Sequence, residues 1–132
     1  MPFVTFTVQQ GISKADKFHL SAAMIEAQAA AGFKRNDLFH RFLEVGPDGL
    51  LADRRYPDYA ADRTDRFIVV EVDISKGKPK GTAAVFANEA IKQFGERLHL
   101  APRDVLFVFQ EVEPDLPRFP TETISSKAAV DA

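Results

Sequence analysis

One stretch of this chain occurs twice, and the repetition constrains the fold more than any other feature. Asp37-Leu38-Phe39-His40-Arg41-Phe42-Leu43-Glu44-Val45 is echoed by Asp104-Val105-Leu106-Phe107-Val108-Phe109-Gln110-Glu111-Val112, with Asp, Phe, Glu and Val in the same places. Each copy reads as a strand, starting at Leu38 and at Val105. A helical pattern precedes each copy, and a further strand precedes each helix. Met1-Pro2-Phe3-Val4-Thr5-Phe6-Thr7-Val8 alternates, with Val4, Phe6 and Val8 on one face and Phe3, Thr5 and Thr7 on the other. Phe67-Ile68-Val69-Val70-Glu71-Val72-Asp73-Ile74 is its counterpart. The pattern predicts two β-α-β units, each with parallel strands and a right-handed crossover.

The first helix is marked by Ser13 as N-cap, with Asp16 three residues on, and by Gly32 as its stop. Phe18, Ala22, Ile25 and Ala29 make its predicted core stripe. In the second unit Ser75 to Gly81 form a turn and Pro79 suits a helix start. Phe86, Ala90, Ile91, Phe94 and Leu98 mark the core stripe there. Ile12-Ser13-Lys14 recurs as Ile74-Ser75-Lys76, so the offset between copies grows from 62 to 67 at the aspartates. The units span residues 2–45 and 67–112, with an irregular polar linker at 46–66 and a proline-rich arm at 113–132. A linker this long in a compact domain is usually functional or flexible.

Composition removes several classes of function. At 132 residues the chain is one domain able to bury a core. A net charge of −2 gives no bulk attraction to nucleic acid, and the basic run Lys76–Lys80 has no interleaved aromatics. The absence of cysteine excludes disulfides and thiolate catalysis. His19 and His99 lack metal-ligand spacing, so no metal site is predicted. No apolar run is long enough for a membrane span and no secretory-type start is visible, which makes the cytoplasm the expected location. Two crossovers of one hand put both helices on the same face of a four-stranded sheet. The other face still carries large apolar residues from the second and fourth strands, so a homo-oligomer with sheets at its centre is expected.

The chemistry concentrates near the start. Proline behind an initiator methionine permits removal of that methionine, which leaves a secondary amine. An α-amino group titrates near pH 8, so a modest shift makes it an acid or a base at neutral pH. Pinned to a strand, Pro2 becomes a fixed group; read structurally, it is only a first strand residue lacking an N–H. Asp37 either serves that amine or closes the turn before the second strand, as Asp104 does in the repeat. Lys76 and Lys78 flank Gly77 ahead of a helix, where two cations make either an anion site or a solvated turn. Arg41 shares a strand face with Phe39 and Leu43, opposite His40, and can reach a substrate carboxylate or an acid of a neighbouring subunit.

Taken together, Pro2 after Met1, the duplicated β-α-β unit and a sheet that needs cover resemble the tautomerase superfamily. The likeness runs from Pro2 to about Val112 and is most similar to the malonate semialdehyde decarboxylase-like branch and its bacterial relatives. It is carried by Gly32-Phe33-Lys34-Arg35-Asn36-Asp37, by Asp62-Arg63-Thr64-Asp65-Arg66-Phe67-Ile68-Val69-Val70-Glu71-Val72, and by Pro102-Arg103-Asp104-Val105. The resemblance implies an α/β fold of the 4-oxalocrotonate tautomerase and MIF type. It also implies a trimer, with the arm after Val112 wrapping a neighbour. Pro2 would be the catalytic acid/base for keto–enol proton transfer on a small oxo acid, with Asp37 beside it and no cofactor. Lys76 and Lys78 fall where the decarboxylases carry a substrate-gripping arginine pair, and lysine lacks the bidentate fork. The family's tryptophan segment is replaced by one in which Phe119 or Leu116 supplies the apolar wall. Two alternatives stand beside this reading: a decarboxylase or hydratase using the same groups, and a catalytically idle trimeric binding module.

Overall fold

The computed structural model describes residues 1–115 and 119–122. Strands β1 (Phe3–Gln9), β2 (His40–Val45), β3 (Ile68–Ser75) and β4 (Val105–Val112) form one sheet in the order β2-β1-β3-β4. Helix α1 (Lys14–Ala30) joins β1 to β2 and helix α2 (Thr82–Leu98) joins β3 to β4. Both strand pairs joined by helices are parallel, and the two units meet at an antiparallel β1–β3 seam. This is the predicted architecture: duplicated β-α-β units, four strands, and two helices on one face.

Strand alternation explains which side the helices cover. Val4, Phe6 and Val8 of β1 and Ile68, Val70, Val72 and Ile74 of β3 are buried on the helix side. Across the ladder, His40 and Phe42 stand level with Val4 and Phe6, and Phe107 and Phe109 level with Val70 and Val72. Phe6 stacks on Phe42 at 4.5 Å, and Phe86 meets Phe33 at 6.1 Å and Phe109 at 5.8 Å, both edge-on. Such tilted and offset contacts are the favoured aromatic geometries.

Helix α1 begins as predicted. The Ser13 side chain accepts the Asp16 N–H at 3.0 Å, and Gly32 follows the helix with φ +93°, a conformation that only glycine adopts cheaply. Its buried stripe is not the predicted one. Leu20, Ala23, Met24, Ala27 and Gln28 face the core, whereas Phe18 is 67% exposed and Ala22, Ile25 and Ala29 sit at the margin. Alanine is so frequent in this helix that two apolar stripes coexist, and the larger Phe18 marks the outer one. Helix α2 buries Phe86, Ala90 and Phe94 as expected. It starts at Thr82, three residues later than Pro79 indicated, and Pro79 instead offers its carbonyl to the Thr82 hydroxyl at 2.7 Å.

The internal repeat also needs correction. Ser13 caps α1, but Ser75 is the last residue of β3, so the Ile-Ser-Lys echo joins unlike positions. The matching turns are those at Gly11 and Gly77, with φ +97° and +93°, and each helix is 17 residues long. The helical regions therefore do not differ by an insertion; the steady counterparts lie about 66 residues apart.

The open face of the sheet is mixed. Leu43, Leu106 and Val108 are 46%, 48% and 37% exposed. Arg41, Glu71 and Gln110 share this side. No helix among the described residues is long and apolar enough to cross a membrane.

Candidate active site

The β1 register fixes where the chain begins. Val4 pairs with His40 on one side and Phe3 with Asp73 on the other, so Pro2 lies between the approach to β2 and the end of β3. Its side chain is fully buried, and in this chain Met1 acylates its nitrogen. Asp37 is on the approach to β2, and the Lys76-Gly77-Lys78 turn directly follows β3. The sheet thus brings Pro2, Asp37 and the lysine turn to one end of the molecule.

Asp37 and Asp104 separate here. The Asp104 carboxylate is buried and spent on structure, accepting the Thr64 N–H and the Thr64 hydroxyl, each at 2.7 Å. Asp37 is held only through its backbone: its N–H donates to the Lys34 carbonyl at 3.3 Å and its carbonyl accepts from Gln28 at 3.0 Å. Its carboxylate makes no hydrogen bond among the described residues. Gln28 also donates to the Lys34 carbonyl at 2.7 Å from a fully buried place on α1. Sequence reading missed this residue. The signal was a glutamine on the stripe that proves to be the inner one.

The cations differ as well. Lys76 ion-pairs with Glu113 at 2.7 Å, while Lys78 lies 4.9 Å over the Phe33 ring. Phe119 rests on Phe39, ring centroids 5.0 Å apart, and the Phe39 carbonyl accepts the Val4 N–H. The described part of the arm therefore packs on its own chain at the Pro2 end; Leu116 lies outside the described residues. Among the described residues of its own chain Arg41 makes no ion pair. It donates to the Thr5 hydroxyl from Nη2 at 3.1 Å and covers Phe3 at 5.2 Å, which buries Thr5 on the otherwise open face.

His40 points the other way, into the helix side, with Nδ1 2.6 Å from the Ser21 hydroxyl. Burial lowers its pKa from 6.5 to about 4. Between those values the unfolded chain binds a proton that the folded chain refuses, so stability is complete above pH 6.5 and falls on acidification towards pH 4. The expected loss is about 2 kcal/mol after allowing for the ring's partial exposure. Urea unfolding at both ends of this window should show it, and His40→Gln should remove that part of the slope.

Two cavities lie elsewhere. One of about 520 Å³ opens between Gln10, Val45, Leu50 and Phe67, and a smaller one of about 170 Å³ lies beside Ile12, Leu20 and Leu98. Both are at the end of the sheet opposite Pro2.

These features define a duplicated β-α-β protein with a buried proline next to its start. A family model described as "Tautomerase enzyme" (Tautomerase_2) matches residues 37–115, and the chain belongs to that family. The match begins at Asp37 and leaves Pro2 outside. Malonate semialdehyde decarboxylase superposes with a TM-score of 0.81 at 18% identity, over 92% of each chain. An FG41 malonate semialdehyde decarboxylase inhibited by 3-bromopropiolate gives 0.81 at 14% identity, over 92% of this chain and 91% of that one. A fused 4-OT described as a symmetric trimer gives 0.69 at 17% identity, over 96% and 98%. At such identities the likeness establishes a shared fold. No curated protein matches the chain in sequence.

Proposed function

We propose that the chain, once Met1 is removed, is a tautomerase in which the Pro2 nitrogen moves a proton between carbon and oxygen of a small oxo acid. The observation that carries this reading is the burial of Pro2 at the one sheet end that also holds Asp37 and the lysine turn. A neutral secondary amine there takes a proton from the carbon beside the carbonyl and returns it to oxygen. The enolate that forms between these steps is negative, so a nearby fixed cation lowers the barrier. Lys78 is the freer cation, since Lys76 shares its charge with Glu113. The Asp37 carboxylate, which makes no hydrogen bond among the described residues, is suited to holding the protonated amine.

An oligomer completes the proposal. The exposed leucines and valine of the open face need cover, and the fused 4-OT of the same fold is described as a symmetric trimer. We read the chain as a homotrimer packed through this face. Decarboxylation of a β-oxo acid is the second reading, supported by the close superposition of two malonate semialdehyde decarboxylases. The lysines weaken it, because each is a point charge without the planar fork of arginine.

The test compares two proteins that differ only at the amine: one beginning at Pro2, the other carrying a single extra glycine before it. Enolisation of phenylpyruvate and release of carbon dioxide from malonate semialdehyde are followed in parallel. Turnover by the first and none by the second is expected. Equal turnover by both removes the amine from the mechanism, and no turnover by either leaves the idle binding module as the reading.

A further inference from the structure

We infer that the cleft beneath the 46–66 linker is a second binding site, for a small organic carboxylate with an apolar body, and that it is non-catalytic. Its volume of about 520 Å³ is within the range of small-molecule pockets. Val45, Leu50 and Phe67 supply apolar wall, and Arg54 and Arg63 line it as well.

Two linker acids are bonded mainly to other partners, and their charges also act on the arginines of the cleft, Asp53 on Arg63 and Asp62 on Arg54. Asp53 accepts the N–H groups of Arg55 at 3.0 Å and Tyr56 at 2.8 Å, and Asp62 pairs with Arg55 at 2.6 Å. Among the described residues neither Arg54 nor Arg63 forms an ion pair. Arg63 is fixed in place, donating to the carbonyls of Asp53 at 2.6 Å and of Tyr56 while lying over the rings of Tyr59 and Phe67. Its Nε is enclosed with no partner among the described residues. Arg54 commits one nitrogen to the Arg63 carbonyl at 3.1 Å and keeps the rest of its fork. Asp65 is the single carboxylate on the wall. Two arginines against one acid on the wall, beside an apolar surface, favour an anion with a hydrophobic body.

Internal symmetry explains why the cleft is there. Thr5 faces Glu71 at the middle of the β1–β3 seam, so a local twofold carries the start of β1 onto the start of β3. Gly11 answers to Gly77 and Asp104 to Asp37 under this operation. The cleft is thus the counterpart of the Pro2 end. Ile68 stands where Pro2 does and is interior to the chain, so no amine can exist there. Gln10 and Ile12 replace Lys76 and Lys78, and the cations come from the linker instead. This inference does not depend on any chemistry at Pro2.

The test is a titration of the assembled, ¹⁵N-labelled protein with 3-phenylpropionate, with 3-phenylpropanamide as the uncharged control. Saturable shifts are expected at the amides of Gln10, Gly11, Thr64 and Phe67 at millimolar ligand, with the amide control binding about tenfold more weakly. Arg54→Gln should weaken the acid by about tenfold, and Leu50→Trp, which fills the cleft, should abolish these shifts. Neither variant should alter any shifts at Phe3, Lys76 or Lys78. Shifts confined to the Pro2 end, equal affinity for acid and amide, persistence in both variants, or no shift at all would each overturn the proposal.

Discussion

In a protein that begins at Pro2, Pro2→Ala is expected to lower kcat for phenylpyruvate enolisation by at least about a hundredfold. Alanine keeps an amine at the same terminus, so the substitution tests position more than basicity. The pyrrolidine ring locks φ and thereby aims the nitrogen lone pair. In alanine that bond turns freely, and a misplacement of about 1 Å from the reacting carbon is enough for a loss of this size. KM should change little, because binding of the carboxylate is assigned to the lysine turn. A fall confined to KM, with kcat intact, would mean that Pro2 merely lines the site.

Phe86→Ala is expected to lower the free energy of unfolding by about 3–5 kcal/mol, read from the urea midpoint. Phe86 is fully buried and its ring touches Phe33 on one side and Phe109 on the other, so its removal leaves a cavity shared by a loop, a helix and β4. The same loss reaches the candidate site, because Phe33 supports Lys78. Phe18→Ala is the internal control. Phe18 is the residue that sequence periodicity places in the core, yet its exposure predicts a change within about 0.5 kcal/mol.

That contrast shows what the sequence made legible. Alternation along β1, its counterpart in β3, and the echo of β2 in β4 gave the sheet, because each of these strands has a face that packs against the helices. In α2 the phenylalanines fall on a single stripe and its orientation was readable. In α1 alanine occurs on every side, so size misled and the inward Gln28 was hidden with it. The two aspartates looked equivalent because their local sequences are alike. What separates them is Thr64, which reaches Asp104 across 40 residues of sequence that no local pattern spans. The linker has no periodicity at all, and its arginine network exists only in three dimensions. The residues of the candidate site were nameable in advance from the proline behind Met1, the repeat and the family likeness; the strand order that brings Pro2, Asp37 and the lysine turn to one end was not, because pairing between strands leaves no local pattern.

The antiparallel seam between the two units has a stoichiometric consequence. A polypeptide has one beginning, so tandem fusion of two β-α-β modules supplies one terminal nitrogen where two separate modules would supply two. A reaction run at that nitrogen is halved in copy number per sheet. The vacated end is released from the demand for a processed terminus, and substitutions there are answerable only to packing and to whatever ligand comes to occupy it.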